Sequence, residues 1–180
     1  MIRGTSVALR SPVESDAAVL SDEIYADVHG WARLDGNGWR PLAPGQPSPF
    51  AEQREADPRR APFAIIDVDT AELLGTALVW GIDLHNRSAS LGIALRPAHR
   101  GQGHAVEAIG LLCDYCFDVL GLHRCNIETL ADNAAMAATA ERCGFRREGT
   151  RREAAWIEGA FVDLIEFGLL AQDRPARGPQ

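Results

Sequence analysis

A pair of glycines between an extended run and the most regular helical run limits the possible folds more than any other feature of the chain. Residues 89–95 favour a strand, and apolar side chains recur at helical spacing through 102–120. Gly101 and Gly103 separate the two runs. A helix N-terminus offers unpaired backbone N–H groups and a partial positive charge, and glycine lets a ligand come close to the backbone. The segment therefore predicts a phosphate-binding site, to which Arg100 adds charge.

Two common phosphate loops do not fit this spacing. A Walker loop needs a lysine after its last glycine, and the chain contains no lysine. A dinucleotide fingerprint needs a third small residue three positions after Gly103, where Val106 stands. Arg96, directly after the strand, adds further positive charge. The loop alone leaves two interpretations open, a site for a phosphate-containing cofactor and a turn that the glycines simply shape.

The remaining runs give an irregular alternation of strands and helices. The predicted strands are 7–10, 63–68, 73–80, 89–95, 125–130, 147–156 and 160–169, and the predicted helices are 11–25, 48–57, 102–120 and 133–142. The first helix is predicted to begin with a cap at Ser11, with Pro12 and Glu14 in its first turn. The stretch 27–49 is rich in Gly, Pro and Trp, which predicts a long loop without regular structure. This order favours an α/β (α+β) fold with helices around a mixed sheet.

Length and composition favour a single domain over residues 1–172, followed by a disordered tail at 173–180. The chain has 18 basic and 25 acidic residues and a formal net charge of -7, which disfavours nucleic acid as a partner. No apolar run reaches the roughly 20 residues of a membrane-spanning helix, and the first residues lack the apolar core of a signal peptide. We therefore expect a cytoplasmic protein that binds neither nucleic acid nor membrane.

The four cysteines are Cys113, Cys116, Cys125 and Cys143. Only the first two stand at a motif-like spacing, and no second pair completes a zinc-ligand pattern. We expect reduced thiols packed as small apolar side chains, and no metal site.

The glycine loop also resembles a known family motif. Its residues are Arg100, Gly101, Gln102, Gly103, His104 and Ala105. They resemble the Arg/Gln-x-x-Gly-x-Gly/Ala pyrophosphate loop of the GNAT family of N-acetyltransferases. Further similar positions are Glu107, Ala108, Phe117, 121–124, Asn133, Gly144, Phe145 and 158–163. Together they are similar to the RimJ/RimL-type branch, which includes enzymes that acetylate the N-termini of ribosomal proteins.

The resemblance implies a GNAT fold, in which helices flank a mixed, mostly antiparallel central sheet, and acetyl-CoA as co-substrate. The backbone of Ile93 and Leu95 would hold the pantetheine arm, and residues 100–105 would wrap the pyrophosphate. Asn133 would hydrogen-bond the cofactor near the thioester. Asn133 also suits the N-cap of the helix that it precedes, and both roles can coexist.

The sequence departs from the family at two positions that supply a proton donor in many members. Ala140 stands where many members have a tyrosine, and Met136 where RimJ/RimL-type members often have a serine. A dedicated general acid is therefore in doubt, although a thiol of pKa about 8.5 leaves tolerably as the thiolate. Glu128 is the candidate catalytic base, and an ordinary solvent-facing carboxylate is the alternative.

The resemblance implies transfer of an acetyl group to a primary amine by direct attack in a ternary complex. Trp31, Trp39 and Trp80 are candidates to line the acceptor pocket, with ordinary core packing as the alternative. A peptide N-terminus, a small-molecule amine and a lysine side chain all remain open as acceptors, and the acidic balance favours a cationic one. A succinyl-CoA-using enzyme, a catalytically silent acyl-CoA sensor and a homodimer also remain open.

Overall fold

An eight-stranded sheet forms the centre of the computed structural model, which describes residues 1–34, 38–43, 46–52 and 57–175. The strands are β1 (Ile2–Arg3), β2 (Val7–Arg10), β3 (Arg60–Asp67), β4 (Leu73–Asp83), β5 (Ser88–Leu95), β6 (Arg124–Leu130), β7 (Arg146–Ile157) and β8 (Ala160–Leu170). Their order is β1-β2-β3-β4-β5-β6-β8-β7. All neighbours are antiparallel except β5 and β6, which are parallel. The predicted mixed, mostly antiparallel sheet is confirmed.

Helices cover both faces of this sheet. They are α1 (Glu14–Leu20), α2 (Val28–Ala32), α3 (Pro49–Glu52), α4 (His104–Asp114) and α5 (Ala134–Arg142), and π-helical turns continue α1 over Ser21–Tyr25 and α4 over Tyr115–Val119. On one face, Ile109 and Leu112 of α4 are fully buried against the strands in the main core. On the other face, Leu20, Trp31 and Phe50 form a second core cluster with Ala94 of β5. The sheet therefore lies between two layers of helices.

The parallel junction between β5 and β6 is short. Residues 88–90 pair with residues 124–126, and no pairing between the two strands is described beyond Ser90 and Asn126. The Asn126 side chain donates from Nδ2 to the Ala89 carbonyl at 3.2 Å, so it closes the junction where the ladder ends. Both strands continue, β5 to Leu95 and β6 to Leu130, and therefore diverge.

Two helices begin more than one residue from their predicted starts, and one helix was not predicted. The first helix begins at Glu14 rather than Ser11, because Asp16 accepts the Val13 amide at 2.8 Å and closes the first turn there. The fourth begins at His104, after Gly103, which adopts a left-handed conformation. The stretch predicted to lack regular structure contains α2, whose N-cap Asp27 accepts the Gly30 amide at 3.0 Å.

Two predicted segments fall partly outside the described residues. The predicted helix 48–57 is helical over Pro49–Glu52, and 53–56 lie outside the described ranges. Of the predicted disordered tail, 176–180 lie outside them too. In its described part, Arg174 donates to Asp118 at 2.8 and 2.9 Å and contacts Asp114, and disorder of the tail stays a prediction.

The four cysteines are free thiols, as predicted. Hydrogen bonds with Cys113 and Cys116, together with burial, raise the pKa of Cys125 far above its usual value. Burial raises the pKa of Cys143 to about 12. The thiols of Cys125 and Cys143 are therefore protonated near neutral pH, and Cys113, Cys116 and Cys125 are buried as apolar groups are. In the part of the chain that the structure describes, no helix is both long enough and apolar enough to span a bilayer.

Candidate active site

A cleft of about 930 Å³ opens where β5 and β6 diverge. Leu91, Gly92 and Ile93 form one wall, and Glu128 and Thr129 of β6 form the facing wall. The backbone edge of β5 that turns toward β6 has no partner strand after Ser90 in the described chain. Unpaired strand edges bind extended ligands through backbone N–H and C=O groups. Ile93 lies on this unpaired part of β5.

The glycine loop follows β5 and leads into α4. Gly101 has φ +75° and Gly103 has φ +88°, a left-handed conformation that L side chains rarely adopt. Space is open at both Cα positions. Within the described ranges, no backbone carbonyl accepts the amides of Gly101, Gln102 or Gly103. His104 and Ala105 begin α4, so the loop presents free donors at the positive end of a helix.

The polar side chains of the loop fold back onto it. Arg100 donates from Nε to the Leu95 carbonyl at 3.0 Å, and Gln102 donates from Nε2 to the Ala98 carbonyl at 2.9 Å. These bonds hold the loop in shape and leave its backbone as the surface for a ligand. The bond from Arg100 also occupies one side of the Leu95 carbonyl, which the sequence predicts to serve the pantetheine arm.

Arg96 does not add charge to the loop, which corrects the sequence prediction. Its guanidinium pairs with Glu23 through two hydrogen bonds of 2.9 and 2.6 Å and also donates to the Leu73 carbonyl. The hydrogen bonds from Arg96 lower the pKa of Glu23. Arg96 therefore fastens α1 and its π-helical turn to the strands.

Glu107 holds α4 in place against the N-terminal strands. Its carboxylate accepts the Ser6 amide at 3.0 Å and also contacts the Ser6 hydroxyl and the Thr5 amide. Burial would raise the pKa of Glu107, but the hydrogen bonds from Ser6 and Thr5 outweigh it and the pKa is lowered. The first turn of α4, and with it the glycine loop, is fixed by an ionised side chain.

Asn133 takes the N-cap position of α5 and lines the cleft. Its Oδ1 accepts the Met136 amide at 3.2 Å, which confirms the predicted cap. The Met136 side chain also lines the cleft, whereas Ala140 is fully buried. In the described part of the chain, no hydrogen bond is found for the side-chain Nδ2 of Asn133.

Glu128 stands on β6 with its carboxylate in the cleft wall, about 41% exposed. Arg151 forms an ion pair with it, and the same guanidinium lies 3.9 Å from Glu166 on β8. The two interpretations of Glu128 from the sequence thus describe one side chain, which faces both the cleft and solvent.

The three candidate tryptophans have different surroundings. Trp31 is 5% exposed, yet an edge of it lines the cleft, and Trp80 lines the cleft beside Gly92. Trp39 does not line the cleft: its Nε1 donates to the Tyr25 carbonyl at 2.9 Å, and its ring lies 6.1 Å from the Tyr25 ring. The indole N–H of Trp39 is therefore satisfied beside the second core cluster, and a role for Trp39 in the acceptor pocket stays a prediction.

No tyrosine reaches the cleft. The chain has two tyrosines. Tyr25 donates its hydroxyl to the Arg40 carbonyl at 2.5 Å, and the ring of Tyr115 packs against Phe63. The described residues also contain no group of three or more His, Cys, Asp and Glu side chains placed to hold a metal ion. Neither tyrosine is therefore placed to donate a proton in this cleft.

Helix α2 is fastened to the far side of the cleft by an ion pair and by a histidine–carboxylate contact, both of which sequence analysis missed. Arg33 donates to Asp132 at 2.6 Å, and His29 contacts Glu158 in the turn between β7 and β8. These partners are 99 and 129 positions apart in the chain, so no local pattern reveals them. A cap signal, Asp27 three residues before Gly30, could have revealed the helix itself.

We call residues 100–105 the free-amide loop, because the amides of residues 101–103 have no backbone acceptor among the described residues. A parallel strand pair that diverges beside this loop is suited to an extended cofactor with phosphate groups. Residues 6–146 match the family model described as an acetyltransferase (GNAT) domain. The chain therefore belongs to the GNAT acetyltransferase family.

Individual relatives agree with this assignment. The chain is 32% identical over 111 residues to the uncharacterized N-acetyltransferase p20 of Bacillus licheniformis. That match covers 62% of each chain, so this chain spans about three fifths of the curated relative.

Solved structures share the fold over nearly the whole chain. A spermidine N-acetyltransferase from Vibrio cholerae, in complex with CoA and spermine, superposes with a TM-score of 0.83 at 22% identity and covers 93% of this chain and 97% of that chain. RimJ of Mycobacterium smegmatis, in complex with CoA-disulfide, superposes with a TM-score of 0.81 at 27% identity and covers 94% and 84%. The predicted GNAT fold is confirmed.

Proposed function

We propose that the chain is an acetyl-CoA-dependent N-acetyltransferase that acetylates a primary amine. The observation that carries this proposal is that β5 and β6 diverge directly before the free-amide loop. The chain in which this occurs belongs to the GNAT family. One groove then offers both a strand edge for an extended arm and a helix N-terminus for a pyrophosphate.

The proposed cofactor site uses backbone groups for most contacts. The amides of residues 100–105 hold the pyrophosphate, and the free edge of β5 at Ile93 and Leu95 holds the pantetheine arm. Nδ2 of Asn133 donates to the cofactor close to the thioester, since Oδ1 already accepts the Met136 amide. The relatives solved with CoA or CoA-disulfide support this assignment.

The proposed reaction is direct attack in a ternary complex. The amine nitrogen forms a bond to the thioester carbonyl carbon, and N–H groups on the edge of β5 stabilise the negative charge that develops on the oxygen. The nitrogen, which is positively charged after the attack, then loses a proton to solvent, the carbon–sulfur bond breaks and the CoA thiolate leaves. Because no tyrosine reaches the cleft, solvent protonates the thiolate, whose pKa of about 8.5 makes this easy near neutral pH.

Glu128 is the proposed base. An ammonium of pKa about 8 to 10 has to lose a proton before its nitrogen can attack. The carboxylate of Glu128 lies in the cleft wall facing β5, where it can accept that proton directly or through one water. Arg151, bound to it, fixes its position.

A thiol-release assay with a panel of amines tests the function. We expect acetyl-CoA to bind and CoA thiol to appear only when an acceptor amine is present, with an acetylated product of matching mass. Cofactor binding without thiol release from any amine would instead support the catalytically silent sensor, which the missing tyrosine and serine donors suggest. Faster turnover of succinyl-CoA would identify succinyl as the acyl group.

The branch and the cell compartment are also proposals. The 27% identity with RimJ and the motifs at Asn133 and 158–163 support the RimJ/RimL-type branch. Four free cysteines suit a reducing compartment, which supports a cytoplasmic location. We also propose that residues 1–172 act as one domain.

A further inference from the structure

The cleft carries a charge opposite to that of the whole chain. The ionisable residues in its described lining are Arg33, Arg59, Arg60, Arg151, Asp57 and Glu128. Four cations thus face two carboxylates, although the chain has a net charge of -7. The sequence expectation of a cationic acceptor rested on the net charge and does not describe this surface.

Three of the four arginines have carboxylate partners. Arg33 pairs with Asp132 at 2.6 Å, Arg59 lies 3.7 Å from Asp57, and Arg151 pairs with Glu128. Arg60 is exposed and makes no ion pair or side-chain hydrogen bond with the described residues. Among the described residues of the cleft lining, the arginine without a carboxylate partner is therefore Arg60.

Arg60 lies at the opposite end of the cleft from the glycine loop. As the first residue of β3 it pairs with Trp80 of β4, which pairs with Ser90 of β5. From Ser90 to Leu95, where the loop begins, the strand rises about 16 Å. Arg60 is thus remote from the predicted pyrophosphate site and free to serve another anion.

Arg60 is close enough to the point of divergence to contact an acceptor. Two steps across neighbouring strands, from Arg60 to Ser90, span about 10 Å. Trp80, its cross-strand neighbour on the same face, lies against Gly92 in the cleft wall. Gly92 lies two residues further along β5, so its backbone is about 12 Å from that of Arg60. Since the arginine side chain covers part of that distance, an amine near Gly92 and an anionic group at Arg60 would be separated by about three residues of extended chain.

We propose that Arg60 is an anion subsite of the acceptor site, and that the acceptor is an amine with a carboxylate about 10 Å from its nitrogen. This inference rests on the proposed acetyltransferase function and specifies its substrate class. The carboxylate belongs to an acidic side chain at the third residue of a peptide or to a small amino acid-like molecule. A polyamine is disfavoured, because its second ammonium would face Arg60.

Matched acceptors test the subsite by thiol release. The peptide amides Ser-Ala-Glu-Ala and Ser-Ala-Gln-Ala differ only in the charge at the third residue, and 6-aminohexanoate and its amide repeat the comparison in a small molecule. We expect kcat/KM to be about fivefold higher for the acidic member of one pair than for its neutral partner, an effect near the upper end of what an exposed ion pair contributes. The kcat/KM for spermidine should be lower than that for the acidic member. The pair that shows the preference identifies the source of the carboxylate.

Variants then assign the preference to the residue. Arg60→Gln should make the two members of the pair equal while leaving the KM for acetyl-CoA unchanged, and Arg60→Glu should favour spermidine. Arg152→Gln, an exposed arginine outside the lining of the cleft, should keep the wild-type preference.

Two results would overturn the inference. Equal kcat/KM values within both pairs, or a preference that survives in a folded Arg60→Gln protein, would remove the subsite and leave the acetyltransferase function intact. No thiol release with any amine would overturn the proposed function, and this inference with it.

Discussion

The indole ring of Trp80 lies directly against the backbone of Gly92. A β carbon at position 92 would stand 2.9 Å from Cζ3 and 3.2 Å from Cη2 of the ring. Trp80 itself pairs with Ser90, so its side chain leans along β5 toward the point where β5 and β6 diverge. Glycine at position 92 therefore allows an aromatic wall directly beside the proposed reaction centre.

Substitution Gly92→Ala should displace this ring. Because the added methyl group overlaps Cζ3, we expect the KM for the amine to rise about threefold or more, with the KM for acetyl-CoA within twofold of wild type. Overpacking should also cost about 1 kcal/mol in the free energy of unfolding. Gly110→Ala is the control, since nothing lies near its Cα on α4. An unchanged amine KM in the Gly92→Ala enzyme would show that the indole does not shape the acceptor site.

Substitution Gly103→Val should weaken acetyl-CoA binding at least about tenfold in titration calorimetry. The residue has φ +88°, and a left-handed conformation costs an L side chain about 1 to 2 kcal/mol, so the loop would leave its binding geometry. Gly103→Asn tolerates this conformation better and should retain more affinity. Wild-type affinity in a folded Gly103→Val protein would remove the pyrophosphate assignment.

Substitution Glu128→Gln should lower turnover by about 10²- to 10⁴-fold, the usual contribution of a general base, without changing acetyl-CoA affinity. The loss should shrink as the pH rises, because more of the amine then arrives neutral. Glu166→Gln is a matched control, since Glu166 also lies near Arg151 but outside the lining of the cleft. If Glu128→Gln turns over normally at neutral pH, solvent is the proton acceptor.

Substitution Asp16→Asn should lower the free energy of unfolding by about 3 kcal/mol in urea titrations at pH 7. The Asp16 carboxylate is buried and accepts from Arg10 at 2.6 and 2.8 Å, so the variant leaves a half-buried guanidinium without its charge partner. Asp22→Asn, at an exposed position, is the control.

The same ion pair makes stability depend on pH. Burial would raise the pKa of Asp16, but the hydrogen bonds from Arg10 and the Val13 amide outweigh it, so the pKa is lowered on folding. The contribution of the ionised Asp16 carboxylate to the free energy of unfolding is therefore complete above the unfolded-state pKa of about 3.9. It disappears as the pH falls through the lower pKa of the folded state. The difference between wild type and Asp16→Asn should shrink in that window. A difference that is constant between pH 7 and pH 3 would contradict this.

The sequence predicted seven of the eight strands and four of the five α-helices in the right order, because periodicity and turn residues are local signals, and it missed the short β1 and α2. It also located the free-amide loop, since the conformations of Gly101 and Gly103 require glycine. The start of α1 was misplaced, because the cap at Ser11 competes with Asp16, whose position depends on Arg10 in the neighbouring strand. Local cap signals cannot rank such alternatives.

The features that the sequence did not reveal depend on contacts between distant segments. Arg96 follows the strand as a loop arginine would, yet it pairs with Glu23, 73 positions earlier. The sign of the charge in the cleft was also missed, because net charge is a property of the whole surface while Arg60 occupies one place on it. The divergence of β5 and β6 depends on where their pairing ends, which neither strand encodes alone.

The pairing of β5 with β6 ends at Ser90 and Asn126. Beyond that point β5 and β6 each have an unpaired edge inside the described sheet, in addition to the two outer edges at β1 and β7. An outer edge with free N–H and C=O groups is a template for aggregation. At one outer edge β1 has two residues, and at the other β7 carries many charged side chains and two breaks in its register. The two inner edges, on β5 and β6, are not protected in these ways, but they face each other across the cleft. The protein therefore keeps strand-pairing groups available to a ligand without offering them to another copy of itself.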